Sequence, residues 1–217
     1  MAKTLAGILD YAYLDTGAVY RALALAVLIN KQDPNDLVQI KQTAKNFAQN
    51  FTLDCLTNPE LRTQEVSDIS SQISVHPDIR KILIEIQRSF AHNPPDLPPD
   101  LYRENLPLRP AKGAILDGRD IGTIICPEAP IKFFITADEE IRAQRRTQEL
   151  QSKQIPATYE AVLAQGRVRD KRDMNRKTAP LKPAQDAYVI DTSYLSPEEV
   201  VKKALVIVRQ RLDNFAA

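Results

Sequence analysis

Hydrophobic and polar positions along the chain fall into two textures: short, nearly continuous apolar runs, and longer segments in which apolar residues return every three to four positions. Leu5, Ile8 and Leu9 follow the second texture and predict a helix over residues 2–9. Residues 11–14 read as a short strand that stops at Asp15-Thr16-Gly17. Residues 18–30, rich in Ala, Leu and Val, predict a helix capped by Asp15 or Thr16. A second apolar run, 114–116, is entered through Gly113, and a third, 131–135, follows Pro127 and Pro130. A fourth, 187–190, precedes Ser196-Pro-Glu-Glu199. That capping box opens a closing helix with Val200, Val201, Leu205 and Val208 facing the sheet. Short buried strands joined by helical segments predict an α/β fold with a parallel sheet. Such a domain commonly opens on a strand, so a chain whose first element is a helix is expected to lack something before it.

Residues 31–110 are polar and rich in proline, and read as an insert in a core made of residues 1–30 and 111–217. Within it, 36–49 predicts a surface helix, 51–53 a short strand, and 62–75 a helix with Val66, Ile69 and Ile73 on one face. Pro77 starts another helix to about residue 90, with Ile79, Leu83 and Ile86 inward and Arg80 and Arg88 offset. The prolines of 92–110 predict an extended, irregular, mobile loop. His76 and His92 have no ligand-like partners and read as ordinary surface residues. Beyond the third run, Asp138 is expected to cap a helix to about residue 151. A further helix is expected from Pro156 into Arg167-Val-Arg-Asp-Lys-Arg-Asp-Met-Asn-Arg176.

Composition narrows the function classes. With 29 basic and 28 acidic residues in 217, the net charge is +1, so the whole molecule has no bias towards nucleic acid or an acidic membrane. Any anion site must be local. Two cysteines and two histidines, none in a metal-ligand spacing, exclude a disulfide framework and a Cys/His metal site and favour a reducing compartment. No apolar run approaches the ~18 residues of a membrane span and the start has no signal-peptide layout, so the cytoplasm is expected.

Charge is concentrated in one place. From Arg167 to Lys182 there are seven basic and two acidic residues. Clustered arginines beside Thr178-Ala-Pro-Leu-Lys-Pro183 fit a flap over phosphates, which guanidinium groups bind bidentately. A nucleic-acid patch is the competing reading, and it lacks interleaved aromatic residues. A second charged feature, Asp117-Gly-Arg-Asp120, follows the 114–116 run, where parallel sheets gather their ligands. It is either a ligand-binding turn or a solvated one in which Arg119 pairs with a carboxylate. Arg21, in the first turn of a helix whose start prefers negative charge, points either to an anion or to a salt bridge with Asp15.

Taken together, Leu14-Asp-Thr-Gly-Ala-Val-Tyr-Arg21, Arg62-Thr-Gln-Glu-Val66, Asp117-Gly-Arg-Asp-Ile-Gly-Thr123, and Arg169-Asp-Lys-Arg-Asp-Met-Asn-Arg176 with Ala179-Pro-Leu181 resemble the bacterial cytidylate kinases. The resemblance covers most of the chain in the family's order. It implies transfer of the γ-phosphoryl group of ATP, with Mg2+, to CMP or dCMP. The implied fold is a P-loop-type parallel sheet with flanking helices, a nucleoside-monophosphate-binding insert (31–110) and a mobile lid (about 152–183). It places Thr16, Tyr20 and Arg21 near the acceptor's phosphate and sugar, and Arg119 as a further phosphate clamp. Ser71, Arg80 and Asp120 would read the cytosine, Asp173 would hold the ribose hydroxyls, and Arg169 and Arg176 would approach the phosphates in transit. Nucleic acid and membrane are not expected partners, and a monomer is the expected state.

The chain departs from the family in two places. No G-x-x-x-x-G-K-[ST] occurs in the 217 residues, and Lys3, in the helix that would follow such a loop, does not replace it. The first central strand and the Walker A loop are therefore expected to be absent. The insert is shorter before Arg62, and the 92–110 loop is longer. Three readings follow: a cytidylate kinase whose sequence starts late, a short chain that only binds CMP, or a basic RNA-binding module.

Overall fold

The computed structural model describes residues 1–97, 108–176 and 178–216, with only the backbone of 213–216. Part of the expected proline-rich loop, 98–107, lies outside the described residues. The chain divides into two compact units, residues 2–118 and 119–217, and the boundary falls inside the Asp117-Gly-Arg-Asp turn.

In the first unit, helix α1 (Ala2–Leu9) leads into strand β1 (Ala12–Asp15) and helix α2 (Thr16–Ile29). Asp15 ends the strand and starts the helix, its Oδ1 accepting from the Ala18 N–H at 3.1 Å. Helix α2 is apolar nearly all round, and Val19, Leu23, Ala24 and Val27 are fully buried. Around it pack α3 (Leu37–Gln49), α4 (Gln64–Ile73) and α5 (Pro77–His92), whose Ile40, Val66, Ile73, Ile79 and Leu83 complete one core cluster. Strand β2 (Ala114–Asp117) pairs with β1 in parallel, Ala12 opposite Ala114 and Asp15 opposite Asp117. Gly113 permits this entry, since a Cβ there would lie 2.9 Å from the Tyr11 ring.

A three-residue staple holds the base of these strands. Asp10 adopts φ 58, a region open to Asp and Asn at modest cost. Its carboxylate accepts from Arg109 and, at 2.9 Å, from Lys112, while the Lys112 N–H donates to the Asp10 carbonyl at 2.8 Å. Arg109 also forms an isolated antiparallel bridge with Leu97.

Two expectations for this unit fail. Residues 51–53 form no strand, because a 3-10 turn over Leu53–Leu56 is followed by another over Pro59–Arg62. Side chains there bond to nearby backbone: Thr57 Oγ1 donates to the Asp54 carbonyl at 2.7 Å, and Asn58 Oδ1 accepts from the Glu60 N–H at 2.9 Å. Such bonds favour turns over a ladder. Arg80, expected to stand off the buried face of α5, is 3% exposed.

The second unit is built on strands β3 (Phe133–Thr136) and β4 (Tyr188–Asp191), paired in parallel with Phe133 opposite Tyr188. Helix α6 (Glu139–Ser152) packs against α7 (Tyr159–Asn175), and α8 (Pro197–Ala216) closes the chain. The capping box is reciprocal: the Ser196 N–H donates to Glu199 Oε2 at 2.7 Å, and the Glu199 N–H to Ser196 Oγ at 3.2 Å. Val200, Ala204 and Val208 are buried, whereas Val201 and Leu205 are only half-buried. Asp138 occupies the cap position of α6 but makes no side-chain cap bond, its N–H instead donating to Ser193 Oγ at 2.8 Å. Helix α7 starts at Tyr159 rather than near Pro156, because Thr158 Oγ1 accepts from the Ala161 N–H. The architecture is α/β with small parallel sheets and many helices. The apolar runs at 114–116 and 131–135 fall in different two-stranded sheets.

Candidate active site

Residues 2–118 bring one set of predicted groups to the carboxyl ends of β1 and β2. Thr16 Oγ1 donates to the Asp117 carbonyl at 2.8 Å, tying the start of α2 to the end of β2. Arg21 reaches back one and a half turns to Asp15 Oδ2 at 2.8 Å, so the salt bridge anticipated as one alternative forms. Tyr20 is 9% exposed, and the Arg80 guanidinium lies 5.7 Å from its ring centroid, a cation–π contact in a buried setting. Arg80 Nη1 also donates to the Ser74 carbonyl at 3.3 Å. Ser74 Oγ in turn donates to the Ser71 carbonyl at 3.1 Å, so the α4 end that carries Ser71 anchors Arg80. Thr16, Tyr20, Arg21 and Arg80 thus surround the first turn of α2.

The strand ends carry two carboxylates, Asp15 and Asp117, in register. Tyr13 shares the face of β1 that carries Asp15, two residues on, and its hydroxyl approaches Asp117 Oδ2 at 3.5 Å. Burial, reinforced by the charges of Asp117 and Asp15, pushes the Tyr13 phenol up to about 12. Tyr13 is therefore a neutral donor at physiological pH. It is absent from the predicted set, although its i, i+2 spacing from Asp15 carried the signal. A cavity of about 390 Å3 opens beside Arg21, lined also by Asp15, Ala18, Leu56, Pro59 and Arg62. A larger cleft of about 560 Å3, lined by Leu37, Val38 and Lys41, contains none of the predicted groups.

Residues 119–217 bring together the second set. Asp173, 7% exposed, is the hub: Arg119 Nε donates to its Oδ2 at 3.1 Å, and Arg169 and Arg172 lie 3.8 and 3.9 Å from its carboxylate. Arg119 therefore pairs with a carboxylate, as the solvated-turn alternative holds, but with one 54 residues away rather than a neighbour. Asp120 is 7% exposed, with Arg176 Nη2 3.8 Å from its Oδ1. Arg176 Nε also donates to the Ala179 carbonyl, and the Leu181 N–H donates to the Asp173 carbonyl at 2.8 Å. The Ala179-Pro-Leu181 stretch is thereby folded back on the end of α7. Arg172 belongs to this cluster and is absent from the predicted set. Only its place beside Asp173 in the charged run marked it.

Among the described residues no group of three or more His, Cys, Asp or Glu side chains converges as a metal cage. Asp15 and Asp117 are already engaged by Arg21, the Ala18 N–H and Tyr13. These side chains do not form a ready cage for a resident Mg2+. Among the described residues, no helix is long and apolar enough to cross a membrane.

What the arrangement can do chemically is hold anions: within their own units lie the five predicted arginines, Arg21, Arg80, Arg119, Arg169 and Arg176, with Arg172 beside the buried carboxylate of Asp173. Comparison with known proteins shows the family. A family model described as cytidylate kinase matches residues 1–96 and 101–210. The chain is 42% identical over 208 residues to the cytidylate kinase of Paramagnetospirillum magneticum, covering 96% of this chain and 90% of that protein. It is 43% identical over 210 residues to that of Bradyrhizobium sp. (strain ORS 278), covering 96% and 88%. With the cytidylate kinase of Methylocella silvestris it shares 39% over 217 residues, covering 100% and 91%. The chain belongs to the cytidylate kinase family.

Proposed function

We propose that the chain is a nucleoside monophosphate kinase that transfers the γ-phosphoryl group of MgATP to CMP or dCMP. A phosphate oxygen of the acceptor attacks the γ-phosphorus, the bond to the β–γ bridging oxygen breaks, and CDP (or dCDP) and ADP leave. No covalent nucleophile is needed, because catalysis of this reaction is positioning and charge stabilisation. In residues 2–118, Thr16, Tyr20 and Arg21 hold the acceptor's phosphate and sugar, and Arg80 and Ser71 read the base. In residues 119–217, Arg119 clamps phosphate, Asp120 reads the base, Asp173 holds the ribose hydroxyls, and Arg169 and Arg176 meet the phosphates in transit. The finer fold goes with this reading: a P-loop-type sheet, an acceptor-binding insert at 31–110 and a lid at about 152–183. A cytoplasmic monomer without nucleic-acid or membrane partners fits the near-neutral composition.

The cytosine assignment is supported by burial within each unit taken separately: Arg80 is 3% exposed in residues 2–118 and Asp120 is 7% exposed in residues 119–217. Arg80 offers N–H donors to the ring carbonyl, and Asp120 accepts from the exocyclic amine, a polarity uracil does not match. One buried polar mismatch costs roughly 1 to 3 kcal/mol, or about 5- to 150-fold in affinity. Equilibrium binding of CMP and UMP, and phosphoryl transfer to each, test the reading. CMP is expected to be favoured by at least about fivefold, and equal use of UMP would remove the assignment of Arg80 and Asp120.

A further inference from the structure

The cavity beside Arg21 has a wall that no role has yet been given. One side is the first turn of α2, with Asp15, Ala18 and Arg21, and the other is the turn segment Leu56, Thr57, Asn58, Pro59, Leu61 and Arg62. That second wall is set firmly. Leu61 is 3% exposed in the core cluster, Asn58 caps the Pro59–Arg62 turn, and Thr63 caps α4 immediately afterwards, its Oγ1 accepting from the Val66 N–H. Arg62 is thus bracketed by a buried anchor and a helix cap, on a turn whose course is fixed by its own side chains.

The charges of the lining do not balance. Asp15 and Arg21 neutralise each other at 2.8 Å. Arg62 is the remaining ionic group, and among the described residues its guanidinium has no ion pair or hydrogen bond. The rest of the lining is apolar or neutral: Ala18, Leu56, Pro59 and Leu61, with Thr57 and Asn58. An unopposed guanidinium in a partly apolar recess of about 390 Å3 is suited to a small anion, and the same recess exposes Arg21. Arg62 is itself exposed, at the edge of the recess, where an anion entering from solvent can reach it.

We infer that Arg62 is a further acceptor-binding residue, which, with Arg21, takes the phosphate group of the nucleoside monophosphate in this cavity. This rests on the reading of the chain as a cytidylate kinase. Two guanidinium groups on one phosphate supply up to four charge-assisted bonds, and the Pro59–Arg62 turn holds the second without the entropy cost of a long flexible loop. The residue acts on binding: it takes up acceptor charge present before and after transfer, so its contribution falls on acceptor affinity more than on turnover.

The test is equilibrium binding of CMP, cytidine and inorganic phosphate to the full chain, to Arg62→Ala and to Arg62→Lys. Arg62→Ala is expected to weaken CMP roughly 10- to 100-fold, to leave cytidine unchanged and to weaken inorganic phosphate. Arg62→Lys should recover part of the CMP affinity, because it restores charge without the planar fork. Unchanged CMP and phosphate affinities overturn the inference, and so does equal weakening of CMP and cytidine, which would mark a structural residue. If the unaltered chain binds phosphate in an Arg62-dependent way but does not bind CMP, the anion pocket stands and the cytidylate reading falls.

Discussion

Arg119 and Asp173 are joined by a 3.1 Å hydrogen bond across 54 residues of sequence, and two further arginines, Arg169 and Arg172, share the same carboxylate. Three cations on one nearly buried anion make the end of α7 dependent on that charge. Replacing Asp173 by Asn keeps the shape and removes the charge, leaving the guanidinium groups to repel one another. Because the arginines are 43 to 59% exposed and screened by solvent, the expected loss is only about 1 to 2 kcal/mol of stability. Denaturant unfolding measures it. A second expectation concerns function: if Asp173 also accepts from the ribose 2′-hydroxyl, the Asn variant should lose more affinity for CMP than for dCMP, which lacks that group. An unchanged unfolding midpoint would show that the cluster is held by its surroundings alone.

Holding the ATP phosphates requires a cradle of backbone N–H groups and a lysine in this kind of chemistry, and the 217 residues contain no G-x-x-x-x-G-K-[ST]. A strand and Gly-rich loop joined ahead of Ala2 should therefore raise ADP formation with CMP well above that of the chain alone. Comparable rates from the two forms would mean that the donor phosphates are held by residues outside the predicted set.

In that extended chain, Arg176 and Arg21 should separate kinetically. If Arg176 meets charge that develops on the transferred group, Arg176→Ala lowers turnover by ~10³-fold or more with a small change in acceptor affinity. Arg21→Ala should mainly raise the KM for CMP. Steady-state kinetics with both substrates varied distinguishes them, and small, equal effects would reduce both residues to surface charges.

Asp10 makes the folded state sensitive to acid. Hydrogen bonds from Arg109 and Lys112 hold its carboxyl below the ordinary Asp range. A depressed folded-state value means that its contribution is full at and above the ordinary range and is lost as pH falls through the lowered value. Asp10→Asn, which tolerates the positive φ, should unfold at lower denaturant concentration than the parent at neutral pH. The gap should close on acidification. A gap that persists at low pH would trace to packing rather than charge.

Much of this was legible because local signals agreed with the fold. The Ser196 to Glu199 box, the Asp15 cap and the Ile79 and Leu83 face of α5 follow from spacing alone, and each stands in the structure. The failures were of two kinds. Residues 51–53 had strand-like content, but Thr57 and Asn58 bond to nearby backbone and turn the chain into 3-10 segments. Arg80 was read as offset from the inward face of Ile79, Leu83 and Ile86, although Arg80, Leu83 and Gln87 repeat at i, i+3 and i+7. All three are buried, with Arg80 over Tyr20. Periodicity marked the face, and the residue type obscured it. The Arg119–Asp173 pairing is set by tertiary structure, so only resemblance to a family drew the two residues into one set.

Asp15 uses its two oxygens for different tasks, Oδ1 on the Ala18 N–H and Oδ2 on Arg21. Asn caps a helix about as well as Asp does, so exchanging one for the other would leave the start of α2 nearly as stable while leaving the charge of Arg21 unopposed. The position is thus nearly silent to folding and audible to charge. A screen that scores variants by melting temperature alone would pass Asn at 15 as neutral, although it would change how firmly the site greets any anion, including the wrong ones.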